Sequence, residues 1–129
     1  MPARRPDARG PGCVATVASA LDSGGQPPPD ALRVAVRYLL DLLAAREPGR
    51  AVEVRVPPYA AVQCLPGPRH TRGTPPNVVE TDAVTWIRLA TGRLSWADAV
   101  TSGSVRASGP RADISAYLPV ASGRLTCSQ

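Results

Sequence analysis

The stretch that decides the fold is Asp82-Ala-Val-Thr-Trp86-Ile-Arg-Leu-Ala-Thr-Gly92-Arg-Leu-Ser95-Trp96-Ala-Asp98-Ala-Val100-Thr-Ser-Gly103-Ser-Val105-Arg-Ala-Ser-Gly109. It predicts two short helices, each ended by a glycine, followed by a short strand. Thr81 or Asp82 would cap the first helix and Ser95 the second, while Gly92 and Gly103 would end them. Each helix carries one of the two tryptophans of the chain. Because no catalytic signature occurs here, the question is what these helices cover.

Each of the two helices is expected to bury one face. In the first helix, helical spacing predicts Thr85 and Arg88 outside. The side chains expected inside on that helix are Val84, Trp86, Ile87 and Ala90. The side chains expected on one face of the second helix are Trp96, Ala99 and Val100.

Composition and charge narrow the class of protein. The chain has 129 residues, of which 43% are hydrophobic and 19% charged, and this is typical of one globular domain with a single core. Its formal net charge is +5, and its arginines are spread singly or lie near the ends. A nucleic-acid binder would concentrate them on one face, so no nucleic-acid partner is expected. No stretch reaches the ~20 apolar residues of a membrane span, which leaves at most a peripheral membrane contact.

Cysteine spacing favours a reduced, cytoplasmic protein. Cys13, Cys64 and Cys127 are odd in number and widely separated, so neither a disulfide framework nor a metal site is expected. The competing interpretation is a cleaved secretory signal, with Arg4-Arg5 before the apolar run 13–21. A secretory signal needs a stronger apolar segment directly after its basic residues, and a short helix is the preferred interpretation.

The residues before the deciding stretch predict a long helix and then strands. Residues 1–29 are expected to be a tail with a short helix, residues 30–120 the domain, and residues 121–129 a second tail. Asp30 would cap the long helix. Its expected apolar face is Leu32, Val36, Leu39, Leu40 and Leu43, and its expected polar stripe is Arg33, Arg37 and Asp41.

From residue 50 the hydrophobic period changes to two. Val52, Val54 and Val56 alternate with polar residues, which predicts a half-buried strand. Pro57-Pro58 would end it. The second strand, residues 59–64, pairs antiparallel with the first if the turn is direct; alternatively, the prolines kink one long strand. Short strands are also expected at residues 78–81 and 105–107, and together these elements predict an α/β (α+β) fold.

The loop from Leu65 to Asn77 is the candidate polar site. Arg69, His70 and Arg72 lie there among glycines and threonines, and guanidinium groups suit carboxylate or phosphate ligands. The preferred alternative is a rigid connection whose arginines pair with Glu53 or Glu80. A Cys64–His70 nucleophile pair is a weaker idea, because no orienting acid is evident.

Several of these segments resemble a known family. The run Leu89 to Gly109 is similar to the C-terminal half of sterol carrier protein domains, where two glycine-ended helices lead into an edge strand. The segments 54–64 and 70–82 resemble the compact actinobacterial branch of that family. The resemblance covers about residues 30–120.

The resemblance implies a small, largely antiparallel sheet of about four to five strands, with helices on one face and an apolar cavity between them. It implies a non-enzymatic protein without cofactor that binds or carries a lipid or other hydrophobic small molecule. The residues implied as cavity lining are Val54, Val56, Trp86, Leu89, Trp96, Val100 and Val105.

Two alternatives stay open at this point. If the tryptophans fill the core, the protein is an interaction or regulatory module that binds a protein partner. The third hypothesis is an enzyme or accessory subunit that acts on an anionic small molecule at the loop carrying Arg69 and Arg72.

Overall fold

Helices and strands follow one another along the chain in the computed structural model, which describes residues 5–67 and 77–121. The elements are α1 Gly10–Asp22, α2 Pro29–Arg46, β1 Val52–Val56, β2 Ala60–Cys64, β3 Val78–Thr81, α3 Ala83–Ala90, α4 Trp96–Thr101, β4 Val105–Ser108 and a 3₁₀ helix Ser115–Tyr117. The expected α+β class is confirmed. Within the described ranges, no helix is both long and apolar enough to cross a membrane.

The four strands form one mixed sheet in the order β2-β1-β3-β4. Val54 of β1 lies opposite Val62 of β2 in an antiparallel pair and opposite Val79 of β3 in a parallel pair. Val79 in turn lies opposite Ala107 of β4, again antiparallel. Two of the three pairs are therefore antiparallel, as expected, and the central pair is parallel because the chain crosses back between β2 and β3.

The valine alternation in β1 has the expected consequence. Val52, Val54 and Val56 are at most 1% exposed, so this face of the sheet is buried beneath the helices. On the opposite face the Nε of Arg55 donates a hydrogen bond to Oε2 of Glu53 at 2.8 Å. Charged residues thus occupy the solvent face, where they keep their hydration.

The connection between β1 and β2 is a direct turn. Val56 is paired with Ala60, and the N–H of Tyr59 donates to the carbonyl of Val56 at 2.9 Å. A cis peptide bond joins Pro57 and Pro58 in this turn. The alternative of one long strand kinked at the prolines is therefore wrong.

Helix α2 departs from its prediction at two residues. It begins at Pro29, preceded by Pro28, and Asp30 lies in its first turn instead of capping it. Proline suits the first helical position because its φ is preset and it has no N–H to satisfy, so the helix can start two residues earlier than a cap at Asp30 would allow. Asp41, expected on the polar stripe, is only 2% exposed, because α2 is packed against α1 and α3 as well as against β2.

Helix α1 is docked on the rest of the domain. It begins at Gly10, three residues before the expected start, and packs on α2 and α3. Val14 and Val17 are at most 1% exposed. A Cβ on Gly10 would lie 2.0 Å from Cδ1 of Tyr38, so only glycine lets the two helices approach this closely. The division into tails and domain stays a prediction.

The deciding stretch folds as its caps predict. Oδ2 of Asp82 accepts a hydrogen bond from the N–H of Thr85 at 3.2 Å, and Oγ of Ser95 accepts one from the N–H of Asp98 at 3.1 Å. Gly92 follows α3 with φ +81°, which is the left-handed end that glycine adopts without strain. Thr85, expected outside, is instead 9% exposed, because α3 also contacts α1 and α2 and buries more than one stripe.

Candidate functional site

Five of the seven residues implied as cavity lining lie in one continuous hydrophobic core. Val54 and Val56 of β1 are 0% exposed, Trp86 and Leu89 of α3 are 1% and 2% exposed, and Val105 of β4 is 4% exposed. We call the apolar region that these five residues share, between the sheet and the helices, the interior. Their role in binding a ligand stays a prediction.

Trp86 points into the interior and joins two helices. Its indole Nε1–H donates a hydrogen bond to the backbone carbonyl of Val36 in α2 at 3.3 Å. A buried tryptophan needs a partner for this N–H, and here the partner comes from the neighbouring helix. The ring therefore fills space between α2 and α3, and its polar atom is satisfied.

Trp96 and Val100 occupy different positions from the other five. Trp96 is only partly buried, where it packs against the edge of the core, and Val100 is 43% exposed. The inward residue of α4 is Ala99, at 0% exposure. Successive helical residues are rotated by about 100°, so a short helix that directs Ala99 inward turns Val100 away. The expected face of α4 is therefore wrong at Val100.

The residues of the candidate anion-binding loop, Arg69, His70 and Arg72, lie outside the described residues. Of the carboxylates proposed as their partners, Glu53 is paired with Arg55 through Nε at 2.8 Å. That ion pair lies on the solvent face of the sheet.

Cys64 is a core residue at the end of β2. It is 0% exposed, and burial, followed by the nearby charge of Glu47, raises the pKa of its thiol to about 12. A thiol acts as a nucleophile through its thiolate, and this thiol stays protonated at neutral pH. This argues against the Cys64–His70 pair, whose histidine lies outside the described ranges.

Within the described part of the chain, two polar clefts lie outside the interior, and sequence reasoning missed both. One, of about 330 Å³, lies where β3 leads into α3 and α4 leads into β4; its lining is Pro57, Glu80, Thr81, Asp82, Gly103, Ser104 and Arg106. The other, of about 200 Å³, lies beside the end of β2; its lining is Ala51, Val52, Leu65, Pro66, Arg111, Asp113 and Tyr117. The lining residues of each cleft are far apart in the sequence, so no periodic pattern predicts that they come together. Among the described residues, no group of three or more His, Cys, Asp and Glu is placed to hold a metal ion.

Asn77 is a structural residue that the sequence did not single out. It is 2% exposed, its Nδ2 donates to the carbonyl of Ala51 at 2.8 Å, and its Oδ1 accepts from the N–H of Arg111 at 2.8 Å. Asn77 therefore links the start of β3 to the residue before β1 and to the segment that follows β4. Nothing in the local sequence marks it, since asparagine is also a common loop residue.

The fold and the interior define a class: a small α+β domain with a mixed sheet, helices on one face and an apolar core between them. The chain belongs to the family described as bacterial SCP ortholog, where SCP denotes sterol carrier protein, and the model of that family matches residues 29–120. No protein in a comparison with curated sequences matches the chain. The matched segment starts at the first residue of α2, so α1 precedes it.

Proposed function

We propose that this protein binds or carries a lipid or another hydrophobic small molecule in the interior, without catalysing a reaction and without a cofactor. The observation that carries the proposal is the apolar interior of a chain that belongs to a sterol carrier protein family. Val54, Trp86 and Leu89, which come from a strand and a helix, supply the apolar contacts such a ligand requires. Burial of the ligand's hydrocarbon against them is the driving force.

The proposal includes a cytoplasmic location and at most a peripheral membrane contact. Cys13 and Cys64 are both free thiols, which suits a reducing compartment. A carrier needs only transient contact with the membrane from which it takes its ligand. No nucleic-acid partner is part of the proposal.

One observation favours a second function, that of an interaction module with a filled interior. Trp86 is 1% exposed, and its N–H already has a partner in α2. If this ring stays in place, it occupies volume that a ligand needs, and the domain would then bind a protein partner through its surface. The two proposals therefore differ in whether the surroundings of Trp86 change when a ligand is added.

Tryptophan fluorescence separates the two functions. In a Trp96→Phe variant, Trp86 is the only tryptophan, and titration with oleic acid and with cholesterol should give a saturable change in its emission. The change is expected because a ligand in the interior alters the packing of the indole and its hydrogen bond. The matched control is Trp86→Phe, which retains the partly exposed Trp96 and should respond much less. If neither ligand changes Trp86 emission and native mass spectrometry finds neither bound, the interaction module is the better account.

A further inference from the structure

Helix α1 contacts both of the helices that Trp86 joins, and it precedes the segment that matches the family. Trp86 connects α3 to the carbonyl of Val36 in α2, and we call the boundary between these two helices the seam. Movement of α1 would expose the surfaces of α2 and α3 that it contacts. We propose that α1 is a strap that opens and closes over this seam and controls entry of a hydrophobic ligand to the interior. The ligand part rests on the proposed function, whereas the opening of α1 does not.

The connection between α1 and α2 has the features of a hinge. After α1, Gly24 takes φ +79° and the N–H of Gly25 donates to the carbonyl of Ala20 at 2.8 Å. The backbone of residues 23–25 therefore bonds back to the last turn of α1 and forms one unit with it. Gln26, Pro27 and Pro28 alone then lead to the first residue of α2. Movements are commonly absorbed by a few residues at the end of an element. Here the rotation would have to occur at Gln26 and about the ψ angles of the prolines, because the φ of proline is fixed.

An ion pair fastens the C-terminal end of α1 to the loop between α3 and α4. Nε of Arg93 donates to Oδ1 of Asp22 at 2.7 Å, and its Nη2 donates to Oδ2 at 2.8 Å. These bonds hold the pKa of Asp22 below its ordinary value and raise that of Arg93. The side chain of Asp22 is 56% exposed and that of Arg93 is 22% exposed, so solvent reaches the carboxylate, whereas the guanidinium is only partly exposed. We call this pair the clasp.

Two contacts hold α1 closed, one at each end. At its C-terminal end this contact is the clasp, in which Nη1 of Arg93 is buried. At the other end of α1, Gly10 lies against the ring of Tyr38 in an apolar contact. Closure therefore depends on apolar packing and on the clasp, and loss of the clasp should favour the open state.

Native-state hydrogen exchange on the full chain tests the opening. We expect the amides of Val14 and Val17 in α1 to exchange through a partial opening that leaves Val54 in β1 protected. Asp22→Asn should accelerate exchange in α1 by about fivefold, near the upper limit for a partly exposed ion pair. The protection of Val54 should be unchanged. Arg93→Gln should have a similar effect, and the double variant should add little to either change because both remove the same interaction.

The matched control is Asp30→Asn, which removes the same charge from an exposed pair with Arg33 at 3.7 Å in α2. It should leave exchange in α1 unchanged. An equal acceleration by this control, or joint exchange of α1 and β1 in one global step, would overturn the strap.

Ligand entry is measured separately by stopped-flow binding of 11-(dansylamino)undecanoic acid. Asp22→Asn should raise the association and dissociation rates by the same factor and leave Kd unchanged, since a strap alters access and not the contacts of the bound ligand. If the wild-type protein does not bind the probe, the proposed function fails while the exchange data still decide the movement of α1. If the probe binds at unchanged rates although α1 opens, α1 does not control entry.

Discussion

At the scale of single residues, Trp86 connects packing to the proposed function. Its ring fills space between α2 and α3, and its N–H is bonded to Val36. The same residue therefore stabilises the ligand-free domain and would contact a ligand. Its contribution to stability can be measured independently of any ligand.

Truncation of Trp86 should destabilise the domain far more than truncation of Trp96. Trp86→Ala removes a side chain that is 1% exposed and should lower the free energy of unfolding by about 3–5 kcal/mol. Trp86→Phe, which loses the hydrogen bond and part of the ring volume, should cost less, about 1–3 kcal/mol. Urea denaturation followed by circular dichroism gives both values. If Trp96→Ala, at a partly buried position, costs as much as Trp86→Ala, Trp86 does not have the special role in the core that we assign to it.

The thiol of Cys64 should be unreactive in the folded protein. In a Cys13→Ser/Cys127→Ser variant it is the only thiol, and at pH 8 it should react with a disulfide reagent only after unfolding. Burial excludes the reagent and raises the pKa from 9.0 to about 12. Fast labelling of the native protein would contradict this.

The same pKa shift has a consequence for alkaline stability. Because the folded pKa lies above the unfolded value of 9.0, the contribution of Cys64 to stability is complete below that pH. It is lost as pH rises from there towards about 12. Cys64→Val, measured by alkaline titration of the free energy of unfolding, should weaken this dependence. An unchanged pH profile would be evidence against a titrating buried thiol.

At the scale of elements, the contact between α1 and α2 depends on one missing side chain. Gly10→Ala would place a Cβ 2.0 Å from Cδ1 of Tyr38, and the helices would have to separate. The expected loss is about 1–3 kcal/mol, the range for overpacking. Gly12→Ala in the same helix meets nothing within 4 Å and should be neutral or slightly stabilising, since alanine favours helix. Thermal unfolding of both variants tests this, and equal effects would contradict the packing of α1 on Tyr38.

Most elements could be predicted because their signals are local. Asp82 and Ser95 mark helix starts through their own backbone bonds, and the valines of β1 alternate with the period of a strand. The burial of Asp41 could not be predicted in this way, since it depends on how α2 packs against elements from elsewhere in the sequence. The exposure of Val100 has a similar origin, because the register of a short helix on its neighbours is set by packing.

At the scale of the whole molecule, the sequence predicted which residues form the interior better than it predicted whether the interior is open or filled. The valines of β1 and Trp86, Ile87 and Ala90 of α3 were placed correctly on the buried side, because periodicity reports which face is covered. Val84, also expected inside, is only half-buried. Whether Trp86 fills the core or lines a cavity was not predictable, because a large aromatic side chain fits both equally well. The parallel pairing of β1 with β3 likewise depends on how the chain crosses between β2 and β3, which has no local signal.

The most direct test of hydrocarbon binding in the interior is an isotope-filtered NOE spectrum of the protein with ¹³C-labelled oleic acid. We predict contacts from the acyl chain to the methyl groups of Val54 and Leu89 and to the indole of Trp86. Val100 is 43% exposed, and its methyl groups should show no contacts with the acyl chain. Contacts confined to Val100 and other surface groups, or no contacts at all, would contradict the account.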